Sequence, residues 1–185
     1  DNSCVSAHFA WLDEETVGEV INLVFNHNEQ TTTDSMQPLA EALEQADVLI
    51  AHNAKFDCLW LQEMGLTLPE TIRCTMINEY ILAKGQRTEL SLKATAHRRN
   101  VTRKKSDLVD ELFKSGTGFE AMHLDTVIEY AEADIVSCGE VYLSQQQDFA
   151  KEENQSLQGI VELMNEMLLF LMEIETNGIH VDRAA

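Results

Sequence analysis

The sequence predicts an α/β domain in which a mixed β-sheet is flanked by helices. Three observations predict it: strand-like alternation at the start of the chain, an apolar strand that leads directly into a helix, and long helical patterns after residue 124. The chain has 185 residues, of which 44% are hydrophobic and only two are prolines, so it has the composition of a folded protein. Its length fits one domain or one domain plus a fragment of a second.

Alternation of apolar and polar residues predicts an antiparallel hairpin at the start of the chain. One face of the first strand carries apolar residues at alternate positions, namely Val5, Ala7, Phe9 and Trp11. A polar turn at residues 13–18 leads to a second strand at residues 20–25, which is rich in β-branched residues.

The remaining elements are predicted from apolar runs and from three-four spacing. Residues 48–51 are predicted to form a buried strand, and Asn53 is predicted to cap the helix that follows. Phe56, on the apolar side of that helix, is predicted to anchor the turn in the core. Long helices are predicted over residues 124–147 and 154–176. Shorter helical patterns occupy residues 39–46, 75–82, 90–97 and 108–113.

The charge is distributed unevenly along the chain. The net charge of −19 would repel a nucleic acid backbone, but residues 84–105 hold eight basic residues and one acidic residue. That basic window carries +7 and leaves −26 on the other 163 residues. It is compatible with contact to a phosphate chain, and also with an ordinary solvated helix and loop.

Cysteine usage and apolar run lengths bear on the cellular compartment. The four cysteines show no Cys-x-x-Cys spacing, which favours a reducing cytosol over a disulfide framework or a zinc site. The longest apolar run, residues 167–172, is far shorter than the roughly 20 residues that span a bilayer. The sequence therefore predicts a cytoplasmic chain without a membrane partner.

Two carboxylates are candidate metal ligands. Asp57 lies in the first turn of a helix at the carboxyl end of a strand, where α/β proteins bind ligands, although a first-turn Asp also complements the helix dipole. Asp134 falls on an apolar helix stripe, one turn after Tyr130, and no basic residue occurs between Asp125 and Lys151. A magnesium or manganese ion would offset the negative charge of the Asp134 carboxylate. Alternatively, the carboxylate accepts hydrogen bonds from backbone amides or from Tyr130.

Two short motifs together resemble those of the DnaQ-like 3′-5′ exonucleases. The stretch Ala-His-Asn-Ala-Lys-Phe-Asp at residues 51–57 is similar to the second motif of that family, which ends in a metal-linked Asp. Tyr-Ala-Glu-Ala-Asp at residues 130–134 is similar to the third motif in its tyrosine form. The segment between them resembles the proofreading domain of phage-type family A DNA polymerases, and residues 171–182 resemble its passage into the polymerase domain.

The resemblance implies a ribonuclease H-like exonuclease fold at residues 1–150, followed by a connecting helix and the start of a polymerase domain at residues 151–185. It implies 3′-5′ proofreading of single-stranded DNA 3′ ends by hydrolysis with two divalent cations, Mg²⁺ or Mn²⁺. The setting would be DNA replication in a phage-infected or prophage-bearing bacterial host, with the polymerase domain in the same polypeptide.

The resemblance also assigns residues to roles. Asp57, Tyr130 and Asp134 would be catalytic, and of these Asp57 and Asp134 would hold the metal ions. The candidate contacts to the nucleic acid are Asn53, Ser91, Lys93, Arg98, Arg99, Lys104 and Lys105.

The first motif of the family, Asp-x-Glu, has one match in the chain, formed by Asp13 and Glu15. Only one strand separates this match from the first helix, so we assign it to an exposed hairpin turn and expect the functional motif upstream of residue 1. Two alternatives remain: a vestigial module that binds DNA or braces a polymerase without catalysis, and a stand-alone RNase D-like exoribonuclease. The polymerase-like end of the chain argues against the second.

Overall fold

The computed structural model describes residues 4–30, 32–101, 107–178 and 180, and it confirms the predicted α/β fold class. Its strands are β1 (Ser6–Phe9), β2 (Ile21–Val24), β3 (Val48–Ala51) and β4 (Thr71–Cys74). Its α-helices are α1 (Gln37–Gln45), α2 (Ala54–Glu63), α3 (Thr75–Leu82), α4 (Leu92–Arg99), α5 (Asp107–Lys114), α6 (Leu124–Phe149) and α7 (Gln158–Asn177). Short 3₁₀ helices lie at Phe119–Ala121 and Glu152–Leu157.

The predicted hairpin at the start of the chain is confirmed. β1 and β2 run antiparallel, in a register that places Phe9 opposite Ile21. A further bridge between Leu12 and Val17 closes the connection between the two strands.

The buried strand at residues 48–51 is also confirmed, and it pairs with a strand that the sequence did not predict. β3 and β4 run parallel, with Val48 opposite Thr71 and Ala51 opposite Cys74. β4 has only four residues and includes Arg73, so its own pattern is too short to indicate a strand. Pairing with β3 gives it its extended conformation.

Within the described residues the four strands form two separate ladders, not the single mixed sheet that we predicted. The two ladders nevertheless share apolar contacts. Leu49 of β3 packs in one cluster with Leu23 and Phe25, and in a second cluster with Ile72 of β4. Side-chain packing therefore joins the two strand pairs in the described part of the chain.

Helix α6 lies at the centre of the packing, against β1, β3, α3 and α4. Cys138 and Val141 of α6 pack with Leu92 and Ala96 of α4. On the hairpin side, a Cβ atom at Gly139 would lie 2.5 Å from Cγ2 of Val17, closer than two carbon atoms approach. Gly139 therefore allows the β1–β2 connection to reach the surface of α6.

A buried cluster of ion pairs joins α3, α4 and α6. Glu79 of α3 is 7% exposed; its Oε1 accepts from Arg98 at 3.1 Å, and its Oε2 accepts from Arg99 at 2.7 Å and from Gln145 at 3.1 Å. Arg99 also donates to Asp148 at 2.8 Å. Removing one partner from a buried ion pair costs about 3–5 kcal/mol, so this cluster fixes α4 against α6.

Helix α7 packs against α2, α3 and β4. It begins at Gln158 after a 3₁₀ helix, whereas the sequence predicted one helix from residue 154. Leu168 and Met172 enter the cluster around β4, and Asn165 accepts a hydrogen bond from the backbone N–H of Cys74 at 2.7 Å. In the described part of the chain, no helix combines the length and the apolar character that crossing a bilayer requires.

The contact at Gly139 gives a stability prediction. Replacing Gly139 by Ala should lower the free energy of unfolding, because overpacking costs about 1–3 kcal/mol and exceeds the helix-propensity gain of about 1 kcal/mol. Gly159 in α7 is the matched control, since a Cβ there meets nothing within 4 Å. Urea unfolding of both variants is the measurement, and a Gly139→Ala protein as stable as Gly159→Ala would contradict the prediction.

Candidate active site

Asp57 lies in the first turn of α2, which begins directly after β3. Asn53 occupies the N-cap position of α2, as predicted, with a left-handed φ of 60°, but its side chain makes no capping hydrogen bond. The predicted burial of Phe56 is wrong: Ala54 and Cys58 face the core, while Phe56 is 59% exposed and lies against the Trp60 ring at 6.5 Å between centroids. The small residues thus set the buried side of α2.

Asp134 lies in the middle of α6, on the part of the helix that faces β3. Cys138, one turn later, packs in the same cluster as Ile50 of β3 and contacts Oγ1 of Thr75 at 3.9 Å. The Asp134 side chain is half-buried and its Oδ1 atom is buried. Asp134 and Asp57 therefore approach the end of β3 from two different helices.

The two carboxylates influence each other electrostatically. Burial, and next the negative charge of Asp134, raise the pKa of Asp57 to about 6, although the Asp57 side chain keeps contact with solvent. Burial raises the pKa of the Cys138 thiol to about 12, and the charges of both Asp57 and Asp134 act in the same direction. Like charges so placed disfavour ionisation unless a cation or hydrogen-bond donors compensate them.

Tyr130 lies one turn before Asp134 on α6, so the two side chains emerge from the same side of the helix. Its ring is half-buried in a small cluster with Val127 and Met122, and it packs at 5.9 Å from the ring of Phe119. These contacts hold the ring of Tyr130 beside the Asp134 turn.

Asp57 and Asp134 have the chemistry of ligands for a hard divalent cation. Carboxylate oxygens are the donors that Mg²⁺ and Mn²⁺ prefer, and a cation between the two would relieve the repulsion that raises the pKa of Asp57. Yet among the described residues no group of three or more His, Cys, Asp or Glu side chains could hold a metal ion. The two carboxylates therefore fit part of a metal-binding set.

The residues predicted to contact nucleic acid differ in their exposure and in their bonds within the protein. Asn53 and Lys93 are exposed. Ser91 caps α4 by accepting from the N–H of Ala94 at 3.3 Å, and its hydroxyl donates to Glu89 at 2.7 Å.

The two arginines predicted as nucleic acid contacts are engaged with Glu79. The side chain of Arg98 is 34% exposed and that of Arg99 is 9% exposed. The ion pairs of Arg99 leave little of its guanidinium available to a ligand. Lys104 and Lys105 lie outside the described residues.

The Asp-x-Glu match at the start of the chain forms an exposed turn, as predicted. Asp13 and Glu15 are both exposed, and Oδ1 of Asp13 accepts from the backbone N–H groups of Glu15 at 2.8 Å and Thr16 at 2.6 Å. These bonds lower the pKa of Asp13 and account for its place in the turn.

The comparison with known proteins found a similarity that extends from the end of β1 into α6. No curated protein matches the chain. A family model described as a 3′-5′ exonuclease of DNA polymerase A matches residues 9–147, which include Asp57, Tyr130 and Asp134. Because this match covers most of the sequence and coincides with the elements that carry the coupled carboxylates, the chain belongs to the DNA polymerase A 3′-5′ exonuclease family.

Proposed function

We propose that the chain is the proofreading domain of a phage-type family A DNA-directed DNA polymerase that acts in the bacterial cytoplasm. Its substrate is a single-stranded DNA 3′ end, and its reaction is hydrolysis of the terminal phosphodiester. The observation that carries this proposal is the electrostatic coupling of Asp57 with Asp134 in a member of a 3′-5′ exonuclease family.

Three side chains have proposed roles in the chemistry. Asp57 and Asp134 are the proposed ligands of two divalent cations, Mg²⁺ or Mn²⁺. Such ions, when bound, lower the pKa of a water molecule and neutralise charge on the phosphodiester. Tyr130 is proposed to orient the attacking water through its hydroxyl, and its place one turn before Asp134 supports this role.

Two carboxylates are too few for a pair of divalent cations, which bind through several anionic oxygens at once. We propose that an Asp-x-Glu strand outside the described residues supplies the others. The separate ladders support this, because β1 and β3 share a core but are not hydrogen-bonded to one another in the described part of the chain. A strand between them would complete one mixed sheet.

The proposed contacts to the DNA strand are Asn53, Ser91 and Lys93, together with Lys104 and Lys105. Asn53 is exposed four residues before Asp57, and Lys93 is exposed in the first turn of α4. Stacking and backbone contacts suit a substrate of any sequence. We assign Arg99 mainly to the fold, because Glu79 and Asp148 already occupy its guanidinium, and we retain Arg98 as a contact through its exposed part.

Helix α7 supports the proposed attachment to a polymerase domain of the same polypeptide. One of its faces packs on the exonuclease core, and the opposite face exposes a stripe of large apolar side chains at helical spacing. The stripe consists of Ile160, Leu163, Met167, Phe170, Leu171 and Ile174, which are 42–58% exposed. Contiguous apolar patches of this kind mark contacts with other domains or proteins, so residues 151–185 are the proposed junction.

A module that binds DNA or braces a polymerase without catalysis is the second candidate. The observation that favours it is that the described residues assemble no metal-binding group of three or more side chains. The two candidates differ in whether further carboxylates join Asp57 and Asp134.

The first prediction of the proposed function concerns the missing ligands. The 185-residue chain should digest a 5′-labelled single strand very slowly with Mn²⁺, and a chain extended upstream through an Asp-x-Glu strand should be on the order of 100-fold faster or more. In the extended chain, the substitution Asp134→Asn should abolish the increase in the rate of digestion. Asp125→Asn, in the exposed first turn of the same helix, is the control. Equal rates for the two chains would show that the 185 residues already hold the complete site.

A second prediction follows from the raised pKa of Asp57. The folded protein holds the Asp57 proton up to about pH 6, whereas the ordinary pKa of an Asp carboxyl is 3.8. The stability contributed by this group is therefore largest below about pH 4 and is lost as the pH rises through about 6. Thermal midpoints in EDTA should therefore fall over this range more for the wild-type protein than for Asp57→Asn.

Millimolar Mn²⁺ should reverse that loss, since only the ionised carboxylate binds a metal ion. The increase in thermal midpoint caused by Mn²⁺ should be larger at about pH 7.5 than at about pH 5, and it should be reduced in Asp57→Asn. An increase that is the same at both pH values, or the same in Asp57→Asn, would contradict the assignment of Asp57 as a ligand.

A further inference from the structure

His52 uses both ring nitrogens in the turn between β3 and α2. Its Nδ1 lies 2.8 Å from Oγ1 of Thr75, and its Nε2 donates to the carbonyl oxygen of Leu90 at 2.8 Å. These partners are 23 and 38 residues away in the sequence, so the bonds join three parts of the chain. The ring is half-buried, which strengthens bonds of this kind relative to exposed ones.

The two partners of His52 lie at or just before the starts of two helices that border the candidate site. Thr75 is the first residue of α3, and its hydroxyl also lies 3.9 Å from the thiol of Cys138, one turn after Asp134. Leu90 directly precedes Ser91, the residue that caps α4. His52 therefore bridges the turn that leads to Asp57 and the start of the helix that carries Lys93.

The other contacts of α4 act further along the helix. Leu92 and Ala96 pack on α6, and Arg98 and Arg99 at the end of α4 bind Glu79. These contacts fix the body and the end of α4. The bond from His52 acts on Leu90, two residues before the first residue of the helix.

We propose that His52 is a positioning residue, which sets the start of α4 and its exposed Lys93 relative to the Asp57 turn through the bond to Leu90. This inference rests on the proposed function, because the group that it positions is a proposed DNA contact. Both ring nitrogens of His52 are bonded within the fold, so we expect its loss to weaken binding of the strand and to leave the turnover rate of bound substrate nearly unchanged.

Two amide substitutions separate the two bonds of His52. In His52→Asn the amide lies near the position of Nδ1, so it keeps the contact with Thr75 and cannot reach Leu90. In His52→Gln the longer side chain brings its N–H₂ near the position of Nε2, so it can still donate to Leu90. Both variants remove the ring, and His52→Gln therefore controls for the loss of packing.

The test uses two measurements on the 185-residue chain in EDTA, which prevents hydrolysis. Hydrogen exchange reports how often the backbone at the start of α4 opens. Fluorescence anisotropy with a labelled single-stranded oligonucleotide reports strand affinity. Loss of one hydrogen bond predicts roughly a three- to tenfold increase in both the exchange rate and Kd for His52→Asn, and values within about twofold of wild type for His52→Gln.

The outcomes are distinguishable. Equal changes in the two variants, or no change in His52→Asn, would overturn the role of the Leu90 bond. If exchange responds as expected while strand affinity stays the same in both variants, His52 is structural only and the positioning role is overturned. If the wild-type protein binds no strand, the proposed function and the strand-binding part of this inference both fail, while the exchange data still decide whether His52 holds the start of α4.

Discussion

Helix α6 has to bury polar side chains along the face that contacts the rest of the protein, and its neighbours are arranged around that constraint. Gln145 donates to the carbonyl of Thr75 and to Glu79, and Asp148 accepts from Arg99. A buried polar group left unsatisfied costs about 1–3 kcal/mol, so these bonds fix α3 and α4. The charge of Asp134, on the same helix, also acts on another carboxylate, that of Asp57. Like charges brought together inside a fold are typical of functional sites.

The sequence predicted the elements that carry a regular pattern and missed those that depend on a distant partner. α6 and the hairpin were predicted because their apolar residues repeat at helical and strand periods. β4 was missed because its four residues become a strand only beside β3. In α2 the large ring of Phe56 was assigned to the core, whereas the space against β4 and α7 accepts only small groups such as Ala54 and Cys58.

The same distinction, between residues in a recognisable local pattern and residues that depend on distant partners, applies to the candidate site. Asp57 and Asp134 could be identified from the sequence, because each occupies an unusual place in its helix and the surrounding motifs resemble a known family. The partners of Arg99 and His52 could not, since they lie on other elements and no local spacing indicates them. Arg98 and Arg99 were therefore predicted as nucleic acid contacts because they lie in the basic window, although burial and ion pairing decide which basic side chains are available at the surface.

The buried cluster around Glu79 has a consequence for how binding depends on ionic strength. In the described part of the basic window, Lys84, Arg87 and Lys93 are exposed, and Arg98 and Arg99 are paired with Glu79. Each phosphate neutralised on a single strand contributes about −0.7 to the slope of log K against log salt. Counterion release at this surface should therefore correspond to fewer phosphates than the eight basic residues of the window indicate. The local charge of the sequence overstates the charge that a polyanion meets.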